Sequence, residues 1–184
     1  MRILVFVVLS VVLFSCVPGV QFQEPMPPNR VNLPNIPKAY RGTIEDGNES
    51  WQIGKDTVVL GDSVMVNGVD FLLRKMAGAL VVNFPVPESG AYGVCIIQND
   101  GQEMTSHFFE EDEVLLSFVD SVLSAPREVK LTSGLLSWEY HLLRPTAAEF
   151  GQMLENRVYS ESNGSCPLPF GETVKPSEWI QPTN

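Results

Sequence analysis

The sequence predicts a mainly β fold, an antiparallel meander, sandwich or small barrel, with one or two short helices. Three observations predict it: short β-branched and apolar runs, turn residues between those runs, and only two stretches with helical spacing of apolar residues. The strand-like runs recur along the middle of the chain, over 50–53, 57–60, 63–66, 69–73, 79–84, 92–97 and 104–109. Short strands at this spacing are typical of antiparallel sheets that curl into a sandwich or a barrel.

Two turn sequences predict hairpins between neighbouring strands. Asn67-Gly68 lies between two apolar runs. An Asn-Gly pair is the strongest short hairpin pattern, because both turn positions need a positive φ angle. Ser133-Gly134 lies between two further apolar runs and predicts a second hairpin.

Two helices are predicted in the second half of the chain. Apolar residues recur at helical spacing over 115–123, after the acidic run 110–113, which suits the positive end of a helix dipole. Two strands are the alternative for this stretch. Thr146 and Glu149 have the capping-box spacing, which predicts a helix over 147–156. We expect this helix to bury Phe150, Met153 and Leu154.

The charge balance limits the classes of partner. The 184 residues include 12 Lys and Arg against 22 Asp and Glu, which gives a formal net charge of −10. Nucleic-acid binding needs clustered basic side chains, and no block of five basic residues occurs, so we expect no nucleic-acid partner. The apolar content of 44% is that of a folded domain rather than of a disordered chain.

The N-terminus has the organisation of a secretory signal peptide. Met1-Arg2 supplies a positive start, and only Ser10 interrupts the apolar run 3–14. Such a run rises about 18 Å as a helix, which is short of the ~30 Å hydrocarbon core of a bilayer. We therefore interpret residues 1–15 as a signal peptide rather than as a transmembrane helix.

The end of this segment, Leu13-Phe14-Ser15-Cys16, resembles the lipobox of bacterial lipoproteins. The resemblance implies that the thiol of Cys16 takes a diacylglyceryl group and that the chain is cut before Cys16. It also implies that the new amino group is acylated, as with palmitate. The alternative is plain secretion with cleavage near Gly19.

An anchor at Cys16 implies a bacterial envelope protein bound to the membrane through lipid. Two or three acyl chains hold a protein durably, because each buried methylene contributes about 0.8 kcal/mol. No acid stands immediately after Cys16, which by analogy with lipoprotein sorting implies the outer membrane, facing the periplasm. The mature chain carries 11 basic against 22 acidic side chains, so we expect anionic headgroups to repel the body.

Three segments follow the signal peptide. Residues 16–37 comprise the anchor cysteine and a proline-rich tether, which we expect to be extended, to stay out of any sheet interior and to become a strap near Val31. The alternative is a strap packed on the body through Val31, Leu33 and Ile36. Residues 38–157 are predicted to form a β-rich globular domain, and residues 158–184 a loose C-terminal tail.

The remaining cysteines are Cys95 and Cys166. In an oxidising compartment they either form a disulfide that pins the tail to a strand, or remain two unrelated thiols. Neither a CxxC nor an HxxH spacing occurs and the chain has two histidines, so we expect no metal site and no cofactor.

Gly61-Asp62-Ser63, after a predicted strand, is similar to the strand-and-GDS block of the SGNH esterases. The resemblance implies Ser63 as nucleophile, with His141 as a candidate base. This chain departs from the family because Trp138 stands where the acid three residues before the histidine is expected, and because a strand rather than a helix is predicted after Ser63. We therefore expect no catalytic residues.

The aromatic residues permit a pocket for a small apolar ligand inside a barrel, or alternatively a filled core, which we favour for a body of this size. They are Phe71, Trp51, Trp138 and Tyr140.

The sequence is thus interpreted as that of a lipid-anchored envelope lipoprotein whose body is a non-enzymatic binding or scaffolding module, with an envelope protein as partner. The alternatives are a carrier of an apolar ligand and an SGNH-like esterase using Ser63.

Overall fold

The computed structural model describes residues 19–46, 49–60, 62–99, 104–132 and 137–161. Within these residues the strands β1 to β12 are, in order, Val20–Phe22, Gly42–Asp46, Glu49–Ile53, Thr57–Leu60, Ser63–Val66, Leu72–Met76, Ala79–Val86, Ala91–Asn99, Met104–Phe108, Glu128–Leu131, Glu139–Leu143 and Ser160–Glu161. Helices α1 and α2 are Glu113–Val122 and Ala147–Glu155, and a 3-10 turn covers Lys38–Tyr40. The predicted mainly β fold with short helices is confirmed.

The strands form two sheets. The larger sheet has the order β10-β11-β1-β8-β7-β6, while β9 pairs with β8 and β12 pairs with β9. The smaller sheet has the order β2-β3-β4-β5. Neighbouring strands are antiparallel except β1 and β11, which are parallel. Both sheets are open in the described part of the chain, so the small barrel is not the form that the β structure takes there.

The larger sheet is the middle of three layers, because its central strands bury side chains on both faces. Successive residues of a strand point to opposite faces. One core cluster joins this sheet to the smaller sheet, and its members include Ile53, Val58, Leu80, Val82, Cys95 and Ile97. A second cluster joins it to both helices, and its members include Ala79, Val81, Ile96, Leu115, Val119 and Phe150.

Both predicted helices are present, so the alternative of two strands over 115–123 is wrong. At α1 the side chain of Asp112 accepts a hydrogen bond from the Leu115 N–H at 2.7 Å, which caps the helix start. At α2 Thr146 and Glu149 form the predicted capping box. The residues predicted to be buried by α2, namely Phe150, Met153 and Leu154, are all buried. Neither helix of the described residues is long and apolar enough to cross a membrane.

The predicted hairpin at Asn67-Gly68 is wrong. β5 pairs with β4, and β6 pairs with β7, so this turn carries the chain from the smaller sheet to the larger one. Gly68 does have a positive φ of 89°, but Asn67 does not have a positive φ, so the two-residue turn that needs one at both positions is not formed. The tight hairpin turn is Ala77-Gly78, with φ of 50° and 82°, between β6 and β7. The second predicted hairpin is confirmed as β10–β11, although residues 133–136 lie outside the described ranges.

The proline-rich segment contributes a strand to the sheet, which corrects the predicted extended tether for the described residues 19–37. β1 lies between β11 and β8, and all of its residues are buried. The pairing includes Gly19, whose carbonyl accepts from the His141 N–H at 2.7 Å. Proline removes the donor only at its own position, and Val20-Gln21-Phe22 keeps its three N–H groups. These residues therefore complete a ladder between the flanking prolines.

Residues 23–37 form a strap that lies across both sheets. Arg74 of β6 donates to the Pro27 carbonyl at 2.7 Å, and the Ile36 N–H donates to a carbonyl of the β3–β4 turn at 2.7 Å. Ile36 is buried and Leu33 packs on the core between the sheets, as expected for a packed strap. Val31, in contrast, is 87% exposed.

The segment predicted as a loose tail, 158–184, begins inside the fold. Val158 is buried in the core cluster beneath the helices, and β12 pairs with β9. The packed part of the chain therefore extends at least to Glu161. Residues 162–184 lie outside the described residues.

Candidate functional site

The cysteines named by the sequence are only partly described. Cys16 and Cys166 lie outside the described residues, so acylation and the disulfide stay predictions. Cys95 is fully buried in β8, where its cross-strand neighbours are Val82 and Phe108. It belongs to the core between the two sheets.

The structure places Ser63 in a hairpin. Asp62 lies in the β4–β5 turn, Ser63 pairs with Leu60, and strand β5 rather than a helix continues from Ser63. Gly61 lies outside the described residues. Both ring nitrogens of His141, the candidate base, are hydrogen-bonded to groups other than Ser63. The structure therefore does not bring the two residues of the esterase hypothesis together as a nucleophile and base.

The four aromatic residues do not share one pocket. Phe71 lies in the core between the sheets, whereas Tyr140 belongs to a separate small cluster. Trp138 is half-buried, and the side chain of Trp51 lies outside the description. The cavity beside Phe71 has a volume of about 10 Å³, which is near the minimum needed to hold a single water molecule. This part of the core is filled by side chains, as favoured from the sequence.

Among the described residues, no group of three or more His, Cys, Asp or Glu side chains is placed to hold a metal ion. Four charged or titratable side chains instead form a connected chain beside Gly19, and we call them the His141 cluster. Its members are Glu111, His141, Arg127 and Asp120.

The fold assembles the His141 cluster along α1, between the helix and β11. β11 places His141 beside Val20 of β1, Glu111 precedes α1, and Asp120 lies in the last turns of that helix. Arg127 follows α1, just before β10. His141 is buried, while Glu111 is partly exposed. The cluster thus ties the start of β1, the helix and the β10–β11 edge to one another.

Hydrogen bonding determines which nitrogen of His141 carries the proton. A guanidinium only donates, so Arg127 donates to Nδ1, which must carry a lone pair; the two atoms are 2.8 Å apart. Nε2 is 2.9 Å from a carboxylate oxygen of Glu111 and is therefore the protonated nitrogen. In this arrangement the ring has no lone pair left to take a proton from a substrate.

Arg127 is held in turn by Asp120. Its Nε donates to one carboxylate oxygen at 2.7 Å and a terminal nitrogen donates to the other at 3.2 Å. The hydrogen bond to Asp120 raises the pKa of Arg127, and the same bond lowers the pKa of Asp120. Because Asp120 is exposed, solvent screens this pair, and its main effect is to orient Arg127 toward the ring.

Gly19 lies against the acid of this cluster. A Cβ atom built on Gly19 would lie 3.0 Å from Oε2 of Glu111, so the backbone passes close beneath that carboxylate. The backbone is thus held from one side by His141 and approached from the other by Glu111. Gly19 follows the predicted anchor at Cys16 by three residues.

The sequence did not indicate the His141 cluster. Its four residues are far apart in the chain and follow no helical or strand period, and the sequence indicated His141 only as a candidate base for Ser63. Only the packing of α1 against β11 brings them together.

Comparison with known proteins found no matching family model, no matching curated protein and no matching solved structure.

Proposed function

We propose that this chain is a lipid-anchored protein of the bacterial cell envelope, acylated at Cys16, whose folded body is a non-enzymatic binding or scaffolding module. The observation that carries the proposal is Leu13-Phe14-Ser15-Cys16 at the end of an apolar run with a positive start. The proposed site is the outer membrane, facing the periplasm, and the proposed partner is another envelope protein.

The non-enzymatic part of the proposal is supported by how the polar side chains are used. Both ring nitrogens of His141 are hydrogen-bonded to neighbouring side chains, and Glu149 accepts from the N–H groups of Thr146 and Ser124. The polar atoms of His141 and Glu149 are used in hydrogen bonds that hold parts of the fold together, which is typical of a structural role rather than of a catalytic one.

The test is the intact mass of the protein purified from membranes, measured beside Cys16→Ser and a Cys166→Ser control. We expect the wild type and the control to have the mass of residues 16–184 plus acyl chains. The Cys16→Ser variant should lack the acyl mass and leave the membrane fraction. Soluble wild-type protein of unacylated mass would contradict the proposal and favour plain secretion.

A further inference from the structure

We infer that the anchor holds the folded body directly on the bilayer, with the corner of the larger sheet at which β1 and β11 begin turned toward the lipid headgroups and Leu131 and Val129 in contact with them. This inference rests on the proposed acylation of Cys16. It adds an orientation and a contact surface, which the anchor alone does not define.

Only a short length of chain separates the lipid from the fold. Gly19 is bonded to β11 through its carbonyl, and Val20 is buried in the sheet, so the chain is fixed in the body from Gly19 onward. Three Cα–Cα steps separate Cys16 from Gly19, and each spans 3.8 Å, so the two Cα atoms lie at most about 11 Å apart. A free tether over residues 16–37 would instead have reached up to ~65 Å. The body therefore cannot stand off the surface.

The anchor is joined to the larger sheet at the end where β11 begins. β1 and β11 are parallel with Val20 beside His141, so the Gly19 end of β1 coincides with the end at which β11 begins, at Glu139. β10 runs antiparallel to β11 and places Leu131 opposite Glu139. Neighbouring strands lie about 4.8 Å apart, so β10 is about 10 Å from β1, within reach of the same patch of membrane.

The larger sheet exposes two apolar side chains near this end. β10 is the edge strand of the larger sheet, and its Leu131 and Val129 are 70% and 53% exposed. They are two residues apart, so they share a face, and that face is the one that carries Val20 and His141. An exposed apolar pair on an edge strand is normally avoided, because it invites association. Contact with the bilayer would cover both side chains.

Charge at the same end selects the lipid. Glu111 lies against Gly19, and Glu139 is exposed opposite Leu131. Lys130, between the two apolar residues, is paired with Glu128 at 2.7 Å, so acidic side chains dominate here and repel anionic headgroups at close range. We expect closer contact with zwitterionic phosphatidylethanolamine than with anionic phosphatidylglycerol, and the difference should shrink at high salt. The acyl chains supply the affinity, and Leu131 with Val129 sets the orientation.

The experiment places an environment-sensitive fluorophore on single cysteines of the acylated, full-length mature protein. The background is Cys166→Ser, in which the remaining Cys95 is buried. The labelled variants are Leu131→Cys, Val129→Cys and, as matched control, Val64→Cys. Val64 is also a valine on an edge strand, is 56% exposed against 53% for Val129, and belongs to the smaller sheet, which covers the opposite face of the larger one.

In phosphatidylethanolamine–phosphatidylcholine vesicles with a lipid-borne quencher, we expect the labels at 129 and 131 to be quenched several-fold more than the label at 64. A ten-residue Gly-Ser insertion between Pro18 and Gly19 should lower quenching at 129 to the level at 64 and leave the membrane-bound fraction unchanged. Membrane-bound acylated protein with equal quenching at 129 and 64, or quenching that survives the insertion, would overturn the inference while the proposed function stands. Absence of acyl mass would overturn both.

Discussion

Asn83 binds both backbone polar groups of Met26: its Oδ1 accepts from the Met26 N–H at 2.5 Å, and its Nδ2 donates to the Met26 carbonyl at 2.8 Å. Both residues are fully buried. The amide of Asn83 thus pairs with the strap as a neighbouring strand would, and it satisfies two backbone groups that would otherwise be buried without partners.

Replacing Asn83 should therefore cost more than a surface asparagine does. We expect Asn83→Ala to lower the free energy of unfolding by about 2–4 kcal/mol, because it leaves both polar groups of Met26 unpaired in the interior. Asn156→Ala, at an exposed side chain that bonds only its own helix, should stay within about 0.5 kcal/mol of the wild type. Denaturant unfolding measures both variants, and equal losses would contradict this role of Asn83.

Phe22 tests whether the N-terminal segment belongs to the folded body. Its ring packs edge-on against Phe109 and Phe150, with centroids 5.2 Å and 5.8 Å away. We expect Phe22→Ala to cost about 3–5 kcal/mol, as for a large side chain removed from a core. Val31→Ala, in the same segment but exposed, should be nearly neutral, and a shortened chain of residues 38–184 should fail to fold. A folded 38–184 chain would contradict the place of β1 in the sheet.

Glu149 should make the stability depend on pH in acid. Burial raises the pKa of Glu149, but hydrogen bonds from the backbone N–H groups of Thr146 and Ser124 outweigh it and lower the pKa from 4.5 to about 2. A carboxylate whose pKa is lower in the folded state stabilises the fold above pH 4.5, and this stability is lost as the pH falls toward 2. The contribution is at most about 3 kcal/mol.

Glu149→Gln should remove most of this pH dependence, because the neutral amide cannot gain a proton in this range. Denaturant midpoints measured from pH 6 to pH 2 should fall less steeply for the variant than for the wild type. Glu155→Gln, at an exposed position of the same helix, provides the control and should keep the wild-type slope. Parallel curves for wild type and Glu149→Gln would show that the capping carboxylate does not act in this way.

The proton position on His141 is open to direct measurement. Nitrogen chemical shifts of the imidazole ring at neutral pH should show Nε2 protonated and Nδ1 unprotonated, because Arg127 donates to Nδ1. Arg127→Ala should allow the other tautomer to appear, whereas Asp120→Asn, which keeps one oxygen to accept from the guanidinium, should preserve the wild-type pattern. Detection of a proton on Nδ1 in the wild type would refute the proposed bonding.

The sequence by itself determined the secondary structure that local interactions control. Thr146 and Glu149 are close enough in the chain to form their capping box without tertiary contacts, so the second helix was predictable almost to the residue. Strand-like runs were equally local, because alternation and β-branching show which residues suit a pleated surface. The mainly β class with short helices followed from these features.

Only the tertiary structure decided which strands become neighbours and which side chains meet. Asn67-Gly68 has the backbone of a turn, yet the pairing of β6 with β7 rather than with β5 depends on the two-sided core of the larger sheet. The sequence did not predict strand β1, which lies in a proline-rich segment. Its three residues form a strand only because β8 and β11 pair with them on both sides. The His141 cluster depends in the same way on long-range packing, so no local pattern in the chain reveals it.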